Sequence, residues 1–391
     1  MRFAWLALLA LSACGEDAPD ASARGAARAS AAPSPSSDLV AREIARLDAL
    51  VAAAQTPPAA PPSDIEEHVL GLLSTIGSVR DQLGGIAAEE LAGLGSAAVP
   101  VLARALGERE RDLAERAAAA RALGAIATPD ALEALLVVLE SSRASLEREP
   151  DVYAACAAAI GAPAEDWIAP RLTLCLKYEV DYPTVVRIAD SLGRLGLYSG
   201  LDALFVITRD AGEAGVRAEA EALLERWRAE LGCADWVELA ELWNGGRLER
   251  LPPPPGGLRY EREVWRTVGR LGEWQLRGVD DARFTLLQLR ENAAAILAQA
   301  LGDADVYVRL HSAQCRARMG PRGRCAEAAL VGVLEDPQVG ATAAEALGHL
   351  GGEVAVGALT ARLGPEHALD LRVACARALG RLAPEDLAET L

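Results

Sequence analysis

Asp370-Leu371-Arg372-Val373-Ala374-Cys375-Ala376-Arg377-Ala378-Leu379-Gly380-Arg381-Leu382 decides the fold, because versions of it recur along the chain. Leu347-Gly348-His349-Leu350 closes a matching stretch thirty-two residues earlier, and Leu123-Gly124-Ala125-Ile126 and Leu192-Gly193-Arg194-Leu195 close two others. A supersecondary unit repeated in this way predicts a solenoid, in which each unit covers its apolar faces with its neighbours. Such a fold works mostly as a binding surface.

Each copy reads as two helices, and the second is the clearer. Asp112, Asp305, Asp336 and Asp370 stand near its start, where a carboxylate can accept orphan N–H groups and suits the positive helix end. Ala fills its middle, as in Ala117 to Ala120, Ala154 to Ala159 and Ala341 to Ala346. Ala is the best helix former, and its small side chain lets neighbouring helices approach closely. The Gly after the last apolar residue is expected to permit a left-handed stop. Two copies depart from Leu-Gly: Ile160-Gly161 and Met319-Gly320. The first helix of each unit is richer in Leu and Val. Thr128-Pro129-Asp130 opens one with a capping hydroxyl and Pro at the first helical position. Ala98-Val99-Pro100-Val101-Leu102 opens another, and Ala358 to Leu363 lies in the last. No segment of strand period stands out, so the fold class is all-α.

These residues resemble HEAT repeats, in particular the short HEAT-like repeats named after phycobilin lyases. The resemblance is closest at Asp305-Val306-Tyr307-Val308-Arg309 and Asp370-Leu371-Arg372-Val373, each followed by an Ala-rich helix, and it covers roughly 90–230 and 290–383. It implies an α-solenoid of about eight stacked antiparallel helix pairs whose second helices line a concave wall. It implies no activity and no pigment chemistry.

The front of the chain reads as an address and an anchor. Arg2 precedes an apolar run from Phe3 to Leu11, too short to span a bilayer and of the size of a signal-peptide core. Leu11-Ser12-Ala13-Cys14 resembles a bacterial lipobox, which implies cleavage before Cys14 and a diacylglycerol on its thiol. Two or three acyl chains give stable anchoring where one does not. Gly15 rather than Asp follows, which by resemblance to the sorting rule of two-membrane bacteria points to the periplasmic face of the outer membrane. Residues 14–37, rich in Ala, Ser, Pro and Gly, cannot form a core and read as a tether. In 38–62, Val40, Ile44, Leu47 and Val51 make one apolar helical stripe. That stripe reads as a helix laid on the first repeat, or as a docking helix. Pro57-Pro58-Ala59-Ala60-Pro61-Pro62 is a stiff spacer, and Ser63-Asp64-Ile65-Glu66 is a capping box opening the folded part. The expected organisation is a signal peptide at 1–13, the two segments just described, a first array at 63–230, a Trp- and Pro-rich insertion at 231–260 and a second array at 261–391.

The chain has 391 residues, 51% hydrophobic and 4% aromatic, with a net charge of −17. Removing residues 1–13 takes away Arg2 alone and gives −18. Such acidity disfavours DNA, RNA and anionic lipid as main partners. Lys177 is the single Lys. Beyond Cys14 there are six cysteines: Cys156, Cys175, Cys233, Cys315, Cys325 and Cys375. Cys156, Cys315 and Cys375 each lie four residues before the apolar residue preceding Gly, at a position held by Ala119 and Ala343 in other copies. Buried free thiols are therefore expected there. Cys315–Cys325 is the pair spaced for a bridge across one turn.

Chemistry is sparse. His68, His311, His349 and His367 have no metal-ligand spacing with Cys or one another. No phosphate-cradling loop and no Gly-x-Ser-x-Gly elbow occurs. Neither catalysis nor a cofactor is expected. Two features stand out. Residues 227–274 hold Trp227, Trp236, Trp243, Trp265 and Trp274, five of the seven Trp. Trp236 and Trp243 close the two ends of a short helix that Asn244-Gly245-Gly246 stops, before the strut Pro252 to Pro255. This segment is either an aromatic recognition patch or a local core sealing two half-arrays. Arg316, Arg318, Arg322 and Arg324 form a basic cluster, either holding a partner's carboxylate or phosphate or complementing a helix end. The expected function is a membrane-anchored scaffold binding a protein partner. An enzyme or cofactor carrier on the same repeat, or a structural envelope component, are the alternatives.

Overall fold

The computed structural model describes residues 39–53, 63–78, 89–141, 149–161, 165–179, 181–244, 257–273, 275–319 and 327–382. Among them are helices and connecting turns and no strand. Ahead of the first array lies α1 (Leu39–Ala53); the array itself comprises α2 (Ser63–Ser78), α3 (Val99–Gly107), α4 (Leu113–Ile126), α5 (Pro129–Ser141), α6 (Pro150–Ile160), α7 (Ala169–Tyr178), α8 (Tyr182–Arg194), α9 (Leu201–Asp210) and α10 (Ala214–Glu230), and α11 (Trp236–Asn244) follows it. The second comprises α12 (Leu258–Gly269), α13 (Leu276–Leu289), α14 (Glu291–Ala300), α15 (Val306–Met319), α16 (Glu327–Gly332), α17 (Gly340–Leu350), α18 (Glu353–Thr360) and α19 (Leu369–Arg381). The chain is an all-α solenoid of stacked helix pairs.

The start signals work as their chemistry requires. Asp112 accepts from the Ala114 N–H at 2.8 Å, Asp305 from Tyr307 at 2.8 Å and Asp336 from Gln338 at 2.9 Å. Asp370 sits one residue inside the first turn of α19, where its charge suits the helix dipole. Thr128 accepts from the Ala131 N–H at 3.4 Å, with Pro129 as the first residue of α5.

The second helices α4, α6, α8 and α10 pack side by side, as do α15, α17 and α19. Here the Leu-Gly motif has a different role from the expected stop. Gly124, Gly193 and Gly348 lie inside their helices, and none has positive φ. A Cβ on Gly124 would come within 2.6 Å of Ala159 Cβ, and one on Gly348 within 2.7 Å of Ala378 Cα. Gly161 and Gly193 are likewise closed off by Ser191 and Trp227. The missing side chain is thus the notch into which the next helix fits. The left-handed stop falls three residues later, at Ala127 (φ 55°), Gly196 (φ 73°) and Gly351 (φ 69°).

An arginine ties each of two units to the next. Arg116 is buried, donates through Nε to the Leu106 carbonyl at 2.9 Å and through its guanidinium to Glu149 at 2.6 Å. Arg309 donates to the Asp303 and Ala304 carbonyls at 2.9 and 3.0 Å and to Asp336 at 3.0 Å. Each arginine satisfies carbonyl oxygen at or just after the end of its unit's first helix and an acidic group at the start of the next second helix.

The two arrays do not continue end to end, as a single stack would. α12 and α13 dock on the side of α7, one unit before the first array ends. One apolar core runs through α1, the first array as far as α8, and α12 to α15. A second core, from Val185 to Trp243, belongs to the branch α8–α11, and a third, from Leu301 to Leu379, to the units of α15–α19. At the junction, buried Asp281 accepts from Lys177 Nζ at 2.8 Å and from the Tyr178 hydroxyl, with Arg270 at 3.7 Å. Lys177 also lies 5.3 Å from the Phe284 ring centroid. The single Lys of the chain is a junction residue.

The stripe of α1 also finds an unexpected partner. Val40, Leu47 and Val51 are buried, and the helix lies against α12, not on the first repeat. The cause is a vacant groove: Gly269 leaves room for Val40, whose Cγ1 would lie 3.1 Å from a Cβ placed there. Polar contacts fix the register. The Val40 N–H donates to Asp303 at 2.8 Å, and Arg266 pairs with Asp48 at 2.8 Å. No described helix is long and apolar enough to cross a membrane.

Candidate functional site

The second helices of the first array present one outward stripe each, formed by residues three and four apart. On α4 these are Arg121 and Ala125, on α6 Ala154, Ala155 and Ala158, on α8 Arg187, Asp190 and Arg194, and on α10 Glu219, Ala222, Arg226 and Glu230. Because the Gly notches bring these helices close, the stripes form one extended wall. Its middle, on α6, is an Ala-lined floor of half-buried and exposed side chains. Charges edge the floor, Arg121 on one side and the α8 stripe on the other.

The charges of α8 and α10 are cross-braced. Arg187 pairs with Glu219 at 3.1 Å, and Asp190 receives Arg194 at 3.0 Å and Arg226. Burial pushes the Asp190 carboxyl up, but hydrogen bonds from Arg226 and Arg194 outweigh it and hold its pKa below the usual carboxylate value. The wall of the second array carries Gln314 and Arg318 on α15, Glu345 and His349 on α17, and Arg377 and Arg381 on α19. Burial and the nearby Arg381 lower the His349 pKa, against the opposing pull of Glu345. The neutral imidazole of His349 is favoured by both causes. Among the described residues no group of three or more His, Cys, Asp or Glu could hold a metal ion. The arrangement offers an Ala floor for apolar contact between edges that carry charge.

The candidate residues scatter differently. Trp236 opens α11 half-buried, donating to Glu225 at 2.6 Å and lying edge-on to Phe205 at 6.2 Å. Trp243, at the other end of α11, is buried. Its ring carries the Arg290 guanidinium 3.5 Å from the centroid, and Arg290 also donates to the Trp243 carbonyl. Arg290 holds φ 53°, an unfavourable conformation for a side chain of its size. Trp227 and Trp265 are buried too, Trp227 edge-on to Tyr198 at 5.0 Å. The Trp-rich segment is thus mostly local core, and Trp243 is no open recognition surface. Trp274 and 245–256 lie outside the described residues.

The basic cluster is not one patch. Arg316 is fully buried, so its guanidinium faces the interior, whereas Arg318 is exposed on the same turn. Alternate residues of a helix point about 200° apart, which explains the split. Arg322, Arg324 and Cys14 lie outside the described residues. Cys156, Cys175, Cys233, Cys315 and Cys375 are buried, while Cys325, the expected mate of Cys315, is outside the described residues. Burial pushes the Cys156 thiol up to about 12 and Cys315 up to about 11.

Sequence reading missed Arg116 and Arg309 as braces between units. Their signal was present, an Arg four residues after the start Asp in Asp112/Arg116 and Asp305/Arg309. Nothing local marks Asp281 or Arg290, whose partners are far away in the chain.

Residues 293–380 match the family model of HEAT repeats. No curated protein matches the chain. Among solved structures the chain is similar to human deoxyhypusine hydroxylase in complex with glycerol, at 19% identity over 76% of this chain and 98% of that one, with a TM-score of 0.27. It is also similar to Kap121p bound to Pho4p, at 13% identity over 84% of this chain and 43% of that one, with a TM-score of 0.31. The chain thus spans less than half of Kap121p. Both scores are low, and neither neighbour says what this chain does.

Proposed function

We propose that this protein is a non-enzymatic scaffold, lipid-anchored through Cys14, that binds a protein partner on the wall of its second helices. The observation that carries the reading is the continuous wall itself, made by Gly notches and floored by Ala154, Ala155 and Ala158 between charged edges. Its length suits a polypeptide better than a small molecule, for which a concave enclosed pocket is the usual site. Deep acidity of the chain (net −17) adds that the partner is not a nucleic acid. The repeats are read as the short HEAT-like type. The lipobox reading of Leu11-Ser12-Ala13-Cys14 and the tether 14–37 support a lipid-anchored wall in the cell envelope, at the periplasmic face of the outer membrane in a cell with two membranes.

Two experiments test this. A photo-crosslinking amino acid at Ala158, in cells making the full chain, is expected to give one discrete adduct that the same residue at Val137, exposed on the first-helix layer, does not give. Adducts of equal intensity at both positions, or at neither, reject the wall. Cys14→Ala is expected to move the protein from the detergent-soluble membrane fraction to the soluble one. Membrane association unchanged by that substitution rejects the anchor.

A further inference from the structure

The last described second helix, α19, carries an exposed face. Leu369 is 71% and Val373 41% exposed, and Ala376 and Gly380 on the same stripe are also exposed. Every earlier Leu-Gly notch described, at Gly124, Gly193 and Gly348, is filled by the following helix, whereas a Cβ on Gly380 would meet nothing within 4 Å. The other two ends of the described stack are finished differently. α10 ends the first array with Glu219, Glu221, Glu225, Arg226 and Glu230 exposed, and α2 begins it with Asp64, Glu67 and His68 exposed. Solenoids usually close their ends with such polar faces. Stacking α19 of one molecule onto α10 or α2 of another would lay charges against Leu369 and Val373, which is unfavourable.

We infer that α19 is a two-fold docking face on which a second copy of this chain sits through its own α19, the two helices running antiparallel. The sequence of the stripe is self-complementary in that direction. Leu369 of one copy enters the Gly380 notch of the other, and Val373 meets Ala376 next to the axis. The flanking charges agree: Asp370 at the start of one helix comes beside Arg377 and Arg381 at the end of the other, and the helix dipoles oppose. Parallel pairing would instead bring the arginines of both copies together. A single helix face is small beside the roughly 800 Å² per partner of a stable complex, so the dimer is weak and reversible. The contact is made by Leu369, Val373, Ala376 and Gly380, and only its flanking Arg377 and Arg381 also belong to the wall of the second array.

Sedimentation equilibrium of the full chain, from micromolar to several hundred micromolar, is expected to show a mass rising from the 41.0 kDa monomer toward twice that value. Val373→Arg is expected to hold it at the monomer mass with an unchanged melting temperature, since Val373 is exposed in the single molecule. Asp370→Arg is expected to weaken association at least tenfold, and adding Arg377→Asp and Arg381→Asp to restore it. A monomer at every concentration overturns the inference and leaves the face to residues 383–391 or to another protein. A dimer indifferent to Val373→Arg or to Asp370→Arg overturns it equally, by placing the contact elsewhere.

Discussion

The smallest side chain in the repeat sets its geometry. Gly348 is buried against Ala378, so Gly348→Ala forces α17 and α19 apart and is expected to cost about 1–3 kcal/mol in denaturant unfolding. Gly380→Ala, at the same repeat position but in open space, is expected to gain about 0.5 kcal/mol from helix propensity. Equal effects at the two sites would show that the notch is not what Gly is for. The tryptophans separate in the same way. Trp243→Ala removes a buried ring and the support under Arg290, for an expected loss of about 3–5 kcal/mol. Trp236→Ala removes a half-buried ring and one hydrogen bond, for about 1 kcal/mol. The thiols of Cys156 and Cys315, pushed up to about 12 and 11 by burial, are almost entirely protonated at pH 8. They are expected to resist iodoacetamide in the native protein and react only in denaturant, as peptide mass spectrometry would show. At this scale the sequence was a good guide to identity and a poor one to role. Gly124 and Gly348 were visible as repeat markers, but a helix stop and a packing notch both select Gly, and only the neighbour distinguishes them. Arg316 and Arg318 look alike in a row of letters, yet one faces the core.

Helices and their pairing were legible because their causes are local: a start Asp, an Ala run, a Leu-rich mate within a few residues. The amphipathic stripe of α1 was equally plain, and Val40, Leu47 and Val51 are indeed its buried members. Its destination was not, since that depends on which distant helix leaves a groove free. Leu47→Asp is expected to release α1 from α12 and raise hydrogen exchange across 39–53 and 258–269, while α4 and α6 stay protected. Uniform loss of protection throughout the chain would mean that α1 is integral to the whole core and not a separately docked element. The wall was anticipated as a property of second helices in general. Its Ala floor on α6 and its braced edge on α8 and α10 required the packing to be known.

Repetition forecasts a line, and the molecule forks instead. The fork rests on contacts such as Lys177–Asp281, formed across 104 positions of sequence, for which no periodicity gives warning. Asp281→Ala leaves Lys177 and Arg270, both partly exposed, without their shared counter-charge and is expected to cost about 2–3 kcal/mol at the junction. Solution X-ray scattering of that variant is expected to show a larger radius of gyration, with helical content by circular dichroism unchanged. An unaltered scattering curve would mean that apolar burial alone holds the arrays together. The α1–α12 contact carries a consequence for biosynthesis. About 205 residues separate the two helices, and ribosomes add roughly 5–20 residues per second, so α1 emerges some 10–40 s before the helix that shelters it. Throughout that interval a greasy strip near the front of the nascent polypeptide has nowhere to go, and it stays open to whatever factor binds apolar segments.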